Sequence, residues 1–348
     1  MRLFETIKKG DVYFIAEMSG NHGGSLDKAL EIVRAAAEAG ADCLKIQTFT
    51  ADTITIDAKT PDFQTQKGGL WEGRTLYDLY AEAHTPWEWQ ETIKDECEAL
   101  GMDFLSSVFD PTSVDFLETI GVEAYKIASP ELVDTPLIKY AASKMKPMII
   151  SCGMGTLEEI QEAVDACKVV GNEQIVLLKC TSEYPAVYED MNISTMADMR
   201  DRFGCAVGLS DHSMGYSVDV AAATLGASVI EKHFCISREE KTVDSSFSME
   251  KDEFARMIED IRLAKAAIGI PSYQRTKREE AGLFGRRSRR SLYAVRDIKR
   301  GDAFTNENVR SIRPAYGLEP KYLEQLLGEC AVRDIAFGSP IKIEDLRG

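Results

Sequence analysis

Eight short apolar or β-branched runs, at 12–16, 43–47, 103–107, 124–127, 147–151, 175–179, 205–209 and 228–232, alternate with longer stretches such as 26–39, 156–169 and 252–268 whose apolar residues recur at helical spacing. This alternation constrains the fold more than any other feature. Strand, helix and strand in repetition is the pattern of βα units around a parallel sheet, and eight units over roughly 260 residues is the size of a (β/α)8 TIM barrel. In such a barrel the C-terminal strand ends converge on one mouth, where active sites are built. Polar residues stand at every one of these ends: Glu17; Lys45 with Gln47; Ser106 with Ser107; Lys126 with Ser129; Ser151; Lys179 with Thr181; Ser210-Asp211-His212; and Glu231-Lys232-His233. At one strand end this would mean little. At all eight it points to a site.

Past residue 268 the pattern changes. A basic, helix-breaking stretch carries Arg275, Lys277, Arg278, Arg286, Arg287, Arg289 and Arg290, and beyond it short strand-like runs at 291–295, 309–314 and 338–343 are separated by turn signals. The reading is a barrel over 1–270, a linker over 271–287 and a small β-rich domain over 288–348.

The chain has 348 residues, 44% of them hydrophobic, with a net charge of -16 and a pI near 4.9. A diffuse negative field repels phosphate backbones, so neither nucleic acid nor an anionic membrane is expected as a partner. An anionic small substrate would need a locally positive pocket. Lys8, Lys9 and Asp11 interrupt the N-terminus, leaving no apolar core of a signal peptide, and no later run is long enough to span a bilayer. A cytoplasmic location is expected. The eight cysteines are scattered without CxxC pairs, the pattern of reduced core thiols rather than disulfides or structural zinc.

His212 and His233 close two successive strands, which a βα unit would bring side by side. The chain holds four histidines, and imidazole is a common ligand of divalent metals. Two hydrogen-bonded structural histidines are the competing reading. His84 reads as a surface residue. Lys45 and Lys126 sit inside apolar runs, where an unpaired ammonium is costly, so something anionic must face each of them. Either a structural carboxylate or the phosphate and carboxylate of a ligand satisfies that requirement, and Ser129, Ser151 and Ser210 add hydroxyls. Glu17, before the polar turn 18–24, can move protons or bind hydroxyls, or cap and ion-pair. Glu131 and Asp244 lie beyond strand ends and are candidates for sugar hydroxyls. The loop 60–75, with Lys67-Gly68-Gly69-Leu70-Trp71, is long enough to act as a lid.

Taken together, Ile15-Ala16-Glu17, Asn21-His22-Gly23-Gly24, Lys45-Ile46-Gln47-Thr48, Tyr125-Lys126-Ile127-Ala128-Ser129, Ser151-Cys152-Gly153-Met154, Gly208-Leu209-Ser210-Asp211-His212 and Glu231-Lys232-His233-Phe234 resemble the sialic acid synthase family. Residues 291–348 are similar to the antifreeze-like (SAF) domain that ends its members. Gly68-Gly69-Leu70-Trp71, Thr85-Pro86-Trp87-Glu88-Trp89, Cys180-Thr181-Ser182-Glu183-Tyr184-Pro185 and Arg313-Pro314 look most like its pseudaminic acid synthase branch. The resemblance implies a metal-dependent condensation of phosphoenolpyruvate with an acylamino sugar aldehyde. It implies Mn²⁺ or Mg²⁺ on His212 and His233, with Glu17 as a further catalytic group. Phosphoenolpyruvate would lie on Lys45, Ser107, Lys126, Ser129, Ser151, Ser182 and Ser210, and the sugar on Gln47, Glu131, Tyr184, Asp244 and Arg313. A domain-swapped homodimer is implied too, the small domain capping the other subunit's site. Ser182 stands where neuraminic acid synthases carry Asn. Legionaminic and N-acetylneuraminic acid synthesis are the alternatives on the same scaffold. Further away stand a class I aldolase using Lys126 or Lys179 as a Schiff base and a non-catalytic sugar-binding protein.

Overall fold

The computed structural model of the chain describes residues 1–281, 285 and 287–346. Arg286 of the basic stretch, and 347 and 348 at the end of the expected small domain, lie outside them. The chain divides into two units, Met1–Gly269 and Ile270–Gly348.

In the first unit β1 (Tyr13–Glu17), β2 (Cys43–Thr48), β3 (Asp103–Val108), β4 (Tyr125–Ile127), β5 (Met148–Ser151), β6 (Ile175–Cys180), β7 (Ala206–Asp211) and β8 (Val229–His233) close into a barrel in sequence order. Every neighbouring pair is parallel. A parallel sheet covered on both faces needs apolar residues on both, which is why the strands read as runs rather than alternations. The two faces nonetheless differ. Tyr13, Ile15, Cys43, Leu105, Ile149, Val176, Leu178 and Val229 pack inside the barrel, whereas Phe14, Leu44, Ile46, Phe104, Ile127, Ile150, Leu177, Val207 and Ile230 pack against the helices.

The helices are cut at chemically marked places. Leu26–Ala39 starts on Ser25, whose hydroxyl accepts from Lys28 N, and stops at Gly40, where φ is 88° and a side chain would be strained. Leu157–Lys168 starts in a capping box between Thr156 and Glu159. A helix not expected from the sequence, Leu3–Lys8, closes the N-terminal end of the barrel: Leu3 is fully buried among the interior residues, with Met1, Phe4 and Ile7 packed beside it.

Several strands run one or two residues further than the sequence pattern indicates, so Glu17, Asp211 and His233 are strand residues rather than residues beyond the ends. The pattern weakens at these positions because polar side chains replace apolar ones, while the backbone ladder continues. Glu17 pairs with both Lys45 and His233 in register, and Asp211 with Lys232.

In the second unit β9 (Ser291–Ala294) and β10 (Val309–Ile312) form an antiparallel pair. The expected run at 338–343 contributes an isolated bridge, Pro340 to Tyr293, rather than a strand; proline has no N–H for a ladder. A compact core of Leu292, Ala294, Ile298, Phe304, Val309, Leu326, Ala331, Ile335 and Ile341 holds the unit. The basic stretch, expected to break helices, carries one turn, Lys277–Glu280, capped by Thr276.

Candidate active site

Strand parity builds the site. Residues two apart face the same side, so the positions above the interior apolar layer are Glu17, Lys45, Gln47, Ser107, Lys126, Ser151, Cys180, Ser210, Glu231 and His233. Eight strands thus deliver one ring of polar side chains to the mouth. Ser106, Asp211 and Lys232 have the opposite parity. Ser106 is 2.6 Å from Thr48 Oγ1, and Lys232 pairs with Asp211 and Asp219. Lys179 also faces outward and donates to the carbonyl of Cys180 at 2.8 Å, which removes it as a Schiff-base nucleophile inside the barrel.

The ring has a charged half. Lys45 Nζ lies 2.8 Å from Glu17 Oε2, 3.4 Å from Glu231 Oε1 and 3.3 Å from Ser107 Oγ. Lys126 Nζ donates to Ser151 Oγ at 2.6 Å and stands 3.9 Å from Glu231 Oε1, which also accepts from Ser210 at 3.3 Å. Both lysines therefore face structural carboxylates, one of the two arrangements their burial allows. Burial, with the charge of Glu231, pushes the Glu17 carboxyl upward despite Lys45. For Glu231 burial acts the same way but is outweighed by Lys126 and Lys45, and its carboxyl is held below the usual range. Two lysines and two carboxylates thus share the mouth, and burial lowers the pKa of Lys126 itself, so an anionic ligand would meet ammoniums already held between Glu17 and Glu231. Glu231 Oε2 is buried without a hydrogen-bond partner and remains free to meet a ligand.

Beside the lysines is a hydroxyl cradle. Ser129 Oγ accepts from Gly153 N at 3.0 Å, and a Cβ on Gly153 would stand 2.2 Å from Ser182 Oγ and 2.7 Å from Ser129 Oγ. The two hydroxyls close over bare backbone, a space only glycine leaves. Glu131, in the 3-10 turn Ser129–Val133, has a buried Oε2 without a partner, and burial pushes its carboxyl to about 7.

The other half of the ring is aromatic. The rings of His212 and His233 lie 5.3 Å apart, Tyr184 is 4.3 Å from His212 and 6.2 Å from His233, and Phe247 is 5.0 Å from His233. Asp244 Oδ2 stands 3.9 Å from His233 Nδ1. Gln47 donates to Glu17 Oε1 at 2.8 Å and to Ser19 Oγ at 3.2 Å. The long loop after β2 reaches the site through Trp71, 6.0 Å from the Tyr184 ring, whose Nε1 donates to Val243 O at 3.1 Å.

Residues 32–273 match the NeuB family model and 289–347 the SAF domain model. The chain belongs to the NeuB family. Pseudaminic acid synthase of Campylobacter jejuni is 44% identical over 99% of this chain and 98% of its own length. N,N'-diacetyllegionaminic acid synthase of Legionella pneumophila is 34% identical over 96% and 94%. Among solved structures, N-acetylneuraminic acid (sialic acid) synthetase of Leptospira borgpetersenii, in complex with citrate, superposes with a TM-score of 0.68 at 28% identity, covering 78% of this chain and 89% of that one.

In this NeuB-family chain the two histidines have the donor chemistry a divalent cation requires. His212 Nδ1 lies 3.0 Å from the carbonyl of Thr181; burial lowers its pKa, but Cys180 and that carbonyl raise it above the ordinary value, so its Nε2 becomes a ligand atom for a cation on loss of the proton. Burial, then the neighbouring His212 and Lys45, hold His233 well below its ordinary value, so it is a neutral imidazole, and its buried Nδ1 has no hydrogen-bond partner. Among the described residues no group of three His, Cys, Asp or Glu side chains is arranged to hold an ion. A cation here would complete its shell from substrate or water.

Of the residues expected at the site, Glu17, Lys45, Gln47, Ser107, Lys126, Ser151 and Ser210 are linked by the contacts above, Ser129 and Ser182 meet at Gly153 with Glu131 in the turn beside them, and Tyr184, His212, His233 and Asp244 form the aromatic group. Arg313 is exposed in the second unit. His84, expected at the surface, is half-buried at the end of the helix Leu76–Ala83. Glu231, Gly153 and Cys180 stand in the sequence motifs quoted above, but no role is assigned to them from sequence. Parity is the available signal, since Glu231 is two residues before His233 and Cys180 two after the interior Leu178.

Proposed function

We propose that the chain is a nonulosonic acid synthase, condensing phosphoenolpyruvate with 2,4-diacetamido-2,4,6-trideoxy-L-altrose and water to give pseudaminic acid and phosphate. The observation that carries this is the pair Lys45 and Lys126 beside the Ser129–Gly153–Ser182 cradle, at the same mouth as the adjacent imidazoles of His212 and His233. The choice of sugar rests on the greater identity to the Campylobacter pseudaminic acid synthase than to the Legionella enzyme.

In this reading Lys45, Lys126 and the hydroxyls of Ser107, Ser129, Ser151, Ser182 and Ser210 hold the phosphate and carboxylate of phosphoenolpyruvate. Gln47, Glu131, Tyr184 and Asp244, with Arg313 of a partner's small domain in a swapped homodimer, orient the sugar. A divalent cation, Mn²⁺ or Mg²⁺, held by His212 and His233, would supply Lewis-acid polarisation of the sugar carbonyl. C3 of phosphoenolpyruvate adds to that carbon, water adds at C2, and the C–O bond to phosphate breaks. Glu17, held between Lys45 and Gln47, serves the attacking water as the carboxylate at the end of the first strand. The ammoniums stabilise the leaving phosphate as its charge grows. No described helix is long and apolar enough to cross a membrane, in keeping with cytoplasmic synthesis of a soluble sugar acid.

Phosphate release measured across a panel of diacetamido-trideoxyhexoses and N-acetylmannosamine tests the reading. Preference for the L-altro sugar supports it, preference for a legionaminic precursor replaces the substrate, and no release with any of them removes the activity.

A further inference from the structure

Each histidine of the mouth is preceded by a charged residue whose side chain points the other way. Asp211 and Lys232 are Cα partners in register, and both face the helix Ser217–Thr224. Lys232 Nζ pairs with Asp211 Oδ2, lies 3.5 Å from Asp219 Oδ2 on that helix, and donates to the carbonyl of Ser213 at 2.8 Å. Asp211 accepts from Ser213 N at 2.8 Å and from Ser213 Oγ at 3.0 Å. Relative exposure is 1% for Asp211, Lys232 and Ser213 and 0% for Asp219.

Three buried charges are a poor way to gain stability, because apolar residues of similar volume pack as well without the desolvation cost. What charges add is direction. This cluster grips position 211 before His212, position 213 after it, and position 232 before His233, and ties all three to one helix. We propose that Asp211, Lys232 and Asp219 are positioning residues that set the separation and orientation of His212 and His233 for a shared divalent cation. The cluster rests on the reading of the two histidines as a cation site. It touches neither the cation nor a substrate. Both carboxylate oxygens of Asp219 lack a hydrogen-bond partner, and burial raises its carboxyl well above the usual range despite Lys232.

The test is titration of Mn²⁺ alone into the metal-free, full-length protein by calorimetry, with phosphoenolpyruvate binding measured separately without metal. Asp211→Asn should weaken Mn²⁺ about 10- to 100-fold, the range found when a partner that orients a metal ligand is lost, and leave phosphoenolpyruvate affinity within about twofold. A merely structural role would move the melting temperature but not divide the two affinities. Should Asp211→Asn not fold, the nearly isosteric Asp219→Asn carries the same expectation. Mn²⁺ affinity within about twofold of the parent in a folded variant overturns the proposal. His212→Ala and His233→Ala separate the two levels. If they bind Mn²⁺ as the parent does, the cation site itself falls; if they lose it while the cluster variants keep it, only the positioning role falls.

Discussion

Gly153 shows how one residue sets what a mouth can hold. Its missing Cβ leaves the gap between Ser129 and Ser182, and its φ is not in the left-handed region, so alanine meets a steric rather than a conformational objection. Overpacking of this kind costs about 1–3 kcal/mol. Gly153→Ala should therefore lower the melting temperature and, by pushing the two hydroxyls apart, weaken phosphoenolpyruvate binding by roughly tenfold or more. Calorimetry with phosphoenolpyruvate reads this, and unchanged affinity would show that the cradle is not its seat. Glu131 makes a second residue-level case. Burial raises its folded-state value to about 7, above the ordinary carboxylate value, so the folded chain binds the extra proton. Its contribution is complete below the unfolded value and is lost as pH rises through about 7. Glu131→Gln should be near neutral at low pH and stabilise the barrel by about 1–3 kcal/mol at pH 8. Urea unfolding at both pH values checks it, and equal effects at the two would mean that Glu131 ionises freely.

At the scale of elements, the eight strands were legible because a doubly covered parallel sheet writes itself as apolar runs. The polar ends marked the mouth, yet the runs alone did not say which polar residues face inward. Ser106, Lys179 and Lys232 looked like mouth residues and are not, because the pattern is apolar on both faces and hides parity until the register is known. The helix Leu3–Lys8 was missed because six residues carry too little periodicity. The loop after β2 was recognised as a candidate lid by length, but not where it lands. It closes on itself through the Gln64–Thr75 bridge, and Trp71 then spans to the loops after β6 and β8 through Tyr184 and Val243. Trp71→Ala should lower kcat/KM for the sugar by about 10- to 100-fold, since Tyr184 loses its brace against His212 and small misplacements are costly in a catalytic site. Phosphoenolpyruvate binding should change little, because none of its proposed contacts involves that loop. An equal loss for both substrates would mean that Trp71 supports the mouth generally rather than the sugar.

At the scale of the whole molecule, the net charge of -16 leaves the mouth no surplus of cations, since Lys45 and Lys126 are buried against Glu17 and Glu231, and an anionic ligand must share ammoniums that the fold already pairs. Each unit has its own core, so the small domain need not serve the barrel to which it is covalently joined. The proposed swapped dimer makes a specific demand. His212→Ala damages the barrel's half of a site and Arg313→Ala the small domain's half, and each variant alone should be nearly inactive on the sugar. In a heterodimer of the two, one composite site takes both damaged halves and the other takes both intact ones. Co-expression with random pairing should then restore about a quarter of parental activity, since half the dimers are mixed and each has one whole site of two. If each chain completes its own site, every site in the mixture carries one lesion and activity stays at the level of the single variants. Phosphate release from the purified mixture, compared with each variant alone, distinguishes the two.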